Sequence, residues 1–268
     1  MKDYVLELAS QQDTVREKFN LVREYLQAYI LKIFMDEGFF RSAAFVGGTA
    51  LRFLYSLPRY SEDLVFSFVY PSRLNFIALI QKTKEELLRS GYTVEVSAND
   101  EKTVNNAWAK FKGLLYEAGV SPLRSENLSV KIEIDTNPPQ GAVLKNEVVT
   151  KFLPLSILSY DLPSLFSGKL GAVLSRKYTK GRDLFDLGWY LSKWRDIVPN
   201  IALLRNSLTQ TGWTDTLPDE NNWRDFVCKV VKRVNWNKIE QELNNFVERK
   251  SDIQTFSRDN ILALLSRQ

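Results

Sequence analysis

Two glycines and an acid carry the first hint of chemistry. Gly47 and Gly48 follow a short apolar run, Ala43 to Val46, and precede Thr49, where an apolar helix is expected to start. That helix runs to Leu57 and is stopped by Pro58. Asp63 comes after Arg59 and Ser61, at the head of an alternating run through Leu64, Phe66 and Phe68. A strand, a glycine pair, a helix and then a strand bearing an acid suit a triphosphate. Glycines let backbone approach phosphate oxygens with no Cβ in the way. Free N–H groups at a helix start point at an anion, and a nearby carboxylate can hold a magnesium ion that bridges phosphates. Gly-Gly-Thr alone equally describes a turn that serves close packing, and Asp63 alone equally describes a solvated acid. The two together at this spacing are the more specific signal.

Other acids and cations stand in patterns that bear on the same chemistry. In VKIEID, Val130, Ile132 and Ile134 face one way while Lys131, Glu133 and Asp135 face the other. Glu133, with Asp135 beside it, could complete a metal site with Asp63; a polar outer face on a half-exposed strand is the alternative. Lys169 falls among Leu165, Ala172 and Val173, where an ammonium is costly unless it meets an anion or reaches water. Asp183 and Asp186, three residues apart, share a helical face and follow Arg182; acids in a first turn also complement a helix dipole. Arg176, Lys177, Lys180 and Arg182 cluster around Tyr178, as a nucleic-acid phosphate contact or as a solvated loop. Lys229, Lys232 and Arg233 read as an exposed helix face, and Cys228 as a small core residue.

The elements that must position these residues follow from periodicity. Thr14 and Glu17 form a capping-box pattern, after which Val15, Phe19, Val22, Leu26, Ile30 and Ile33 recur at helical spacing up to Gly38. Leu64–Val69 is an expected strand ended by Pro71, and Asn75–Ser90 a second amphipathic helix ended by Gly91. Strands are expected over 92–96, 107–115, 128–135 and 143–152, with a polar turn at 97–102 and a connector over 154–163. From Ser164 onward the pattern is helical, in runs near 165–178, 181–194, 198–208, 223–234, 236–250 and 256–267. The expectation is a mixed α/β N-terminal part, 1–155, and a helical C-terminal part, 156–268.

Composition bounds the chemistry. The 268 residues are 44% hydrophobic and 25% charged, enough to bury a substantial core. Histidine is absent, which excludes Ser-His-Asp hydrolysis, histidine base chemistry and His-ligated zinc. One cysteine permits no internal disulfide, in keeping with a reducing cytoplasm. No signal-peptide pattern and no membrane span are expected. A formal charge of +4 is a mild bias toward phosphate-rich partners.

With these residues in view, the sequence resembles the AbiEii-type nucleotidyltransferases, the toxin half of type IV toxin–antitoxin systems within the polymerase-β-like superfamily. Three pieces carry the likeness: GGTALR with RYSEDL (47–64), KIEID (131–135), and Lys169 with RDLFDL (182–187). The resemblance implies a nucleotidyltransferase-type mixed sheet flanked by helices, with the helical C-terminal domain contributing Lys169 and Asp183 to the site. It implies that Gly47, Gly48 and Thr49 cradle the triphosphate, that Arg52 and Ser61 belong to the same nucleotide-binding motifs, and that Asp63 and Glu133 hold Mg2+. Lys169 would contact nucleotide phosphates and Asp183 would help complete the site. The implied reaction moves a nucleotide from an NTP to an acceptor, in several relatives the 3′ end of tRNA, and a cognate antitoxin silences it.

One departure matters. The family pattern Ser-x-Asp-Leu-Asp-Phe is here Ser61-Glu62-Asp63-Leu64-Val65-Phe66, so Val65 stands in place of the second acid. An isopropyl group binds no metal, and two-metal phosphoryl transfer relies on bridging carboxylates. Three readings stay open: an inactivated chain, compensation by Glu62 or Asp135, or nucleotide binding without turnover. Glu62 points to the opposite strand face from Asp63, so Asp135 is the better substitute. The expected function is a metal-dependent nucleotidyltransferase toxin acting on RNA. A catalytically impaired nucleotide- or RNA-binding protein is the alternative, and a small-molecule acceptor a third.

Overall fold

A computed structural model describes residues 1–70 and 75–266. The chain opens with α1 (Lys2–Ser10) and α2 (Val15–Asp36), followed by a 3-10 turn at Phe39–Arg41. Next come β1 (Ala43–Val46), α3 (Gly47–Tyr55), β2 (Asp63–Phe68), α4 (Phe76–Arg89), β3 (Val94–Asn99) and β4 (Val104–Phe111). Then follow α5 (Leu114–Glu117), β5 (Leu128–Asp135), β6 (Leu144–Val149) and β7 (Leu155–Tyr160). The remaining helices are α6 (Leu162–Ser175), α7 (Gly181–Lys193), α8 (Ile201–Gln210), α9 (Trp223–Arg233), α10 (Trp236–Leu243), α11 (Lys250–Thr255) and α12 (Arg258–Ser266). Pro71 lies outside the described residues, as do the last two residues of the chain.

Several of these elements form where the pattern placed them. The Thr14 hydroxyl accepts from the Glu17 amide, and the Glu17 carboxylate accepts from the Thr14 amide, closing the capping box of α2. Asn75 caps α4 through the Ala78 amide, and β5 occupies the whole of 128–135 with strictly alternating burial. Other stretches differ, among them the helix expected near 236–250, which stops at Leu243 (α10) before α11 begins at Lys250. The start of the chain is helical (α1). β3 continues through Ser97 to Asn99, where a turn was expected. The strand expected at 107–115 starts earlier and gives way to α5. The connector expected at 154–163 is β7, a strand inside the sheet.

The sheet runs β3-β4-β5-β2-β1-β7-β6. β1 pairs antiparallel with β2 and parallel with β7, while β2 lies parallel to β5. A short apolar run buried on both faces shows little alternation. LSILSY of β7 is such a run, buried at all but one position, which is why its sequence gave no strand period. The Ser159 hydroxyl also donates to the Phe45 carbonyl, 2.7 Å away.

The chain forms two compact units. The first comprises 1–50, 62–137 and 146–159, and the second 51–61, 138–145 and 160–268. In the first, the rings of Phe34, Phe39, Phe45 and Phe66 meet at centroid distances of 4.8–5.3 Å along the contacts 34–39, 39–66 and 45–66. In the second, Phe166 stacks against Tyr190 at 4.7 Å and edge-on to Trp223 at 5.6 Å. No described helix is long and apolar enough to cross a membrane.

Candidate active site

The register of β2 against β5 decides which side chains share a face. Asp63 lies beside Lys131, Val65 beside Glu133 and Ser67 beside Asp135. Leu64 and Phe66 on β2, like Ile132 and Ile134 on β5, are buried on the opposite face. Asp63, Val65, Lys131, Glu133 and Asp135 therefore project from one side of the sheet. Val65 stands between Asp63 and Ser67 along its strand and directly alongside Glu133, so an acid at 65 would form a compact triad with Asp63 and Glu133.

Lys131 is the cation of this group. Its ammonium lies 2.5 Å from a Glu133 carboxylate oxygen. The hydrogen bond to Glu133 raises the Lys131 pKa against partial burial, and the charges of Glu133 and then Asp63 add to the rise. Lys131 thus answers electrostatically to both acids. Burial pushes the Asp135 carboxyl up, partly offset by the Asn137 amide. Asp135 sits four residues along β5 from the position beside Asp63, roughly 13 Å at strand rise. That span is too long for Asp63 and Asp135 to bind one ion, so the register favours Glu133 over Asp135 as the partner of Asp63.

The glycine pair enters α3 with no intervening turn. β1 ends at Val46, and Gly47 begins the helix at φ +81°, a left-handed value that side chains disfavour. A Cβ at Gly47 would stand 3.4 Å from the Cβ of Val65, so the helix start is held against the acid-bearing strand. The buried Thr49 hydroxyl donates to the Asp63 carbonyl at 2.5 Å. This bond ties the first turn of α3 to the first residue of β2. The Thr49 side chain is spent on that tie; what the turn offers an anion is its backbone N–H groups.

In the second unit, Lys169 lies between two acids of α7, 2.6 Å from Asp186 and 3.2 Å from Asp183. Asp183 also pairs with Arg176. Both acids meeting one lysine accounts for their three-residue spacing. Sequence reading missed the strongest contact here. Arg59 grips Asp186 with Nε and Nη2, each at 2.6 Å, and both side chains are almost wholly buried. Burial alone would push the Asp186 carboxyl up, but Arg59, then Lys169, hold it below the ordinary carboxylate range. Arg52 donates to the Leu57 carbonyl at 2.8 Å and pairs with Glu248, and Ser61 is buried. Of the basic cluster, Arg176 is engaged by Asp183, and Arg182 lies over the Phe246 ring at 4.2 Å with Glu242 3.8 Å away.

Among the described residues no three carboxylates or thiols converge as a metal-holding group. The donor set still fits one hard divalent ion. Magnesium is commonly held by one or two carboxylates together with substrate phosphates and water, and Asp63 and Glu133 supply two carboxylates from one sheet face.

The architecture is that of the nucleotidyltransferases. It is similar to a crystal structure from H. pylori described as a candidate nucleotidyltransferase, with a TM-score of 0.55, 18% identity, and coverage of 91% of this chain and 90% of that one. It is also similar to the crystal structure of JHP933 from Helicobacter pylori, with a TM-score of 0.50, 19% identity, and coverage of 92% and 88%. At such identities the likeness is one of fold. The sequence match is more particular: residues 29–258 fit the family described as "Nucleotidyl transferase AbiEii toxin, Type IV TA system", and the chain belongs to it. The family implies an NTP substrate and an antitoxin partner. No curated protein matches the chain.

Proposed function

We propose that this nucleotidyltransferase uses Mg2+ to move a nucleotide from an NTP onto an RNA acceptor, such as a tRNA 3′ end, as a cytoplasmic toxin. One observation carries the reading: Asp63 and Glu133 share a sheet face beside the glycine start of α3. The first-turn N–H groups at Gly47, Gly48 and Thr49 bind phosphate oxygens, and Asp63 and Glu133 hold the cation. Lys169 meets nucleotide phosphates and Asp183 positions it; its two carboxylate partners support a side chain kept in one conformation. Arg52 and Ser61 carry nucleotide-binding roles through their motifs. An acceptor hydroxyl attacks the α-phosphorus, forming a P–O bond as the α–β anhydride breaks, with pyrophosphate leaving and the hydroxyl proton passing to water. When bound, the ion offsets charge on the phosphates.

The test is incubation of the full chain with each labelled NTP, Mg2+ and total tRNA. Label should enter RNA, and Asp63→Ala should abolish it. Transfer that survives Asp63→Ala would overturn the assignment.

Val65 favours a second reading: a nucleotide- or RNA-binding protein of the same fold with impaired turnover. That reading expects NTP binding without label transfer in the wild type, and transfer in Val65→Asp.

A further inference from the structure

The face that bears Asp63 and Lys131 continues across the sheet. Ser97 lies beside Trp108, Trp108 beside Lys131, and Lys131 beside Asp63. One lateral row on four neighbouring strands therefore links Asp63 to Trp108, two strands away, or ~10 Å at ordinary strand spacing. Trp108 is 44% exposed in mid-strand, an unusual place to leave an indole in water. Its neighbour Ser97 is small and leaves the ring accessible. A groove of ≈ 460 Å³ opens here, lined by Trp108, Ser97, Ser129, Lys84, Lys110 and Glu95. Glu95 is neutralised by Lys112, and the Lys131 ammonium lies 5.6 Å from the centre of the Trp108 ring. The groove thus presents an aromatic face among cations.

We propose that this groove binds single-stranded RNA, with Trp108 stacking an unpaired base and Lys84 and Lys110 meeting the flanking phosphates. Every base has a π-face, so stacking on an exposed aromatic tolerates sequence. Sheet faces bearing aromatics are a recurrent way to hold splayed RNA bases. The cations complement the phosphate backbone, and the row leads the strand toward the carboxylates. The proposal rests on the RNA-acceptor reading above and gives the acceptor its seat: an unpaired stretch lying along β3, β4 and β5.

The test measures anisotropy of a labelled oligouridylate with the full-length protein. Trp108→Ala should weaken binding by about 5- to 150-fold, Trp108→Phe should recover most of it, and Tyr116→Ala, an exposed ring on α5, should leave it unchanged. Lys84→Ala with Lys110→Ala should flatten the dependence of affinity on salt. A change under about threefold for Trp108→Ala overturns the proposal; circular dichroism of each variant confirms folding. In the transfer assay, Trp108→Ala should raise KM for the acceptor and leave KM for the NTP unmoved. Transfer to RNA with both constants unmoved would defeat the groove and spare the transferase assignment. Trp108-dependent RNA binding with no transfer to any acceptor would do the reverse.

Discussion

At the scale of single residues, Val65 in place of an acid bears most on activity. Val65 lies beside Glu133 and two residues from Asp63 on the same face, so Val65→Asp restores a third carboxylate without asking the backbone to move. Its transfer rate should rise on the order of tenfold or more, measured as label incorporated per minute at saturating NTP. Lys131 acts in the opposite sense, because its ammonium already occupies Glu133. Lys131→Gln should lower the Mg2+ concentration for half-maximal rate several-fold, read from a magnesium titration. Gly47 is fixed by geometry: φ is +81° and Val65 stands close. Gly47→Ala should cost about 1–2 kcal/mol in urea unfolding from the left-handed backbone alone. Strand alternation in the sequence showed which of these residues share a face, while the missing acid was legible only against the pattern of the family that the chain resembles. The sequence did not show that Lys131 rather than Glu133 sits level with Asp63, since lateral register depends on a partner strand some seventy residues away. Nor did it single out Trp108: β4 was expected to start at Ala107, and an aromatic in a strand reads as core until its neighbours are known.

At the scale of elements, the buried Arg59–Asp186 pair, with part-buried Lys169 on Asp186, holds α6 and α7 together with the segment that precedes β2 in sequence. Arg59→Leu would leave Asp186 with Lys169 as its remaining named cation, and should cost ~3–5 kcal/mol in denaturant unfolding. The cluster also sets a pH dependence. Asp186 has a folded pKa below its unfolded value, so its contribution is present above about pH 4 and fades as pH falls through the lower, folded value. Asp186→Asn should therefore be less stable than wild type at pH 7 and should flatten the acid side of the stability curve, followed by fluorescence-monitored unfolding. Periodicity exposed α4 and β5 well, because each buries one face and leaves the other more open; α2, buried on all sides from Glu24 to Leu31, was legible through its capping box and its length. Periodicity failed at β7, whose neighbours cover both faces, and at α5, a single short turn of helix following the left-handed Gly113.

At the scale of the whole molecule, the chain visits its second unit at 51–61 and 138–145 before remaining there from Tyr160. Linear periodicity marks where helices begin to dominate; it carries no signal for such excursions, which are fixed by long-range contacts such as Arg59 to Asp186. With a net charge of only +4, the proposed RNA contact would depend on local grouping of cations. The claim on which the account depends is that two sheet-borne carboxylates hold the ion that accompanies the nucleotide. Its most direct test is Mn2+ binding in the presence of a non-hydrolysable NTP, followed through the paramagnetic signal of the free ion. The account predicts that Asp63→Ala and Glu133→Gln each weaken Mn2+ binding on the order of tenfold, and that Val65→Asp tightens it. Equal affinity in the wild type and all three variants would contradict it.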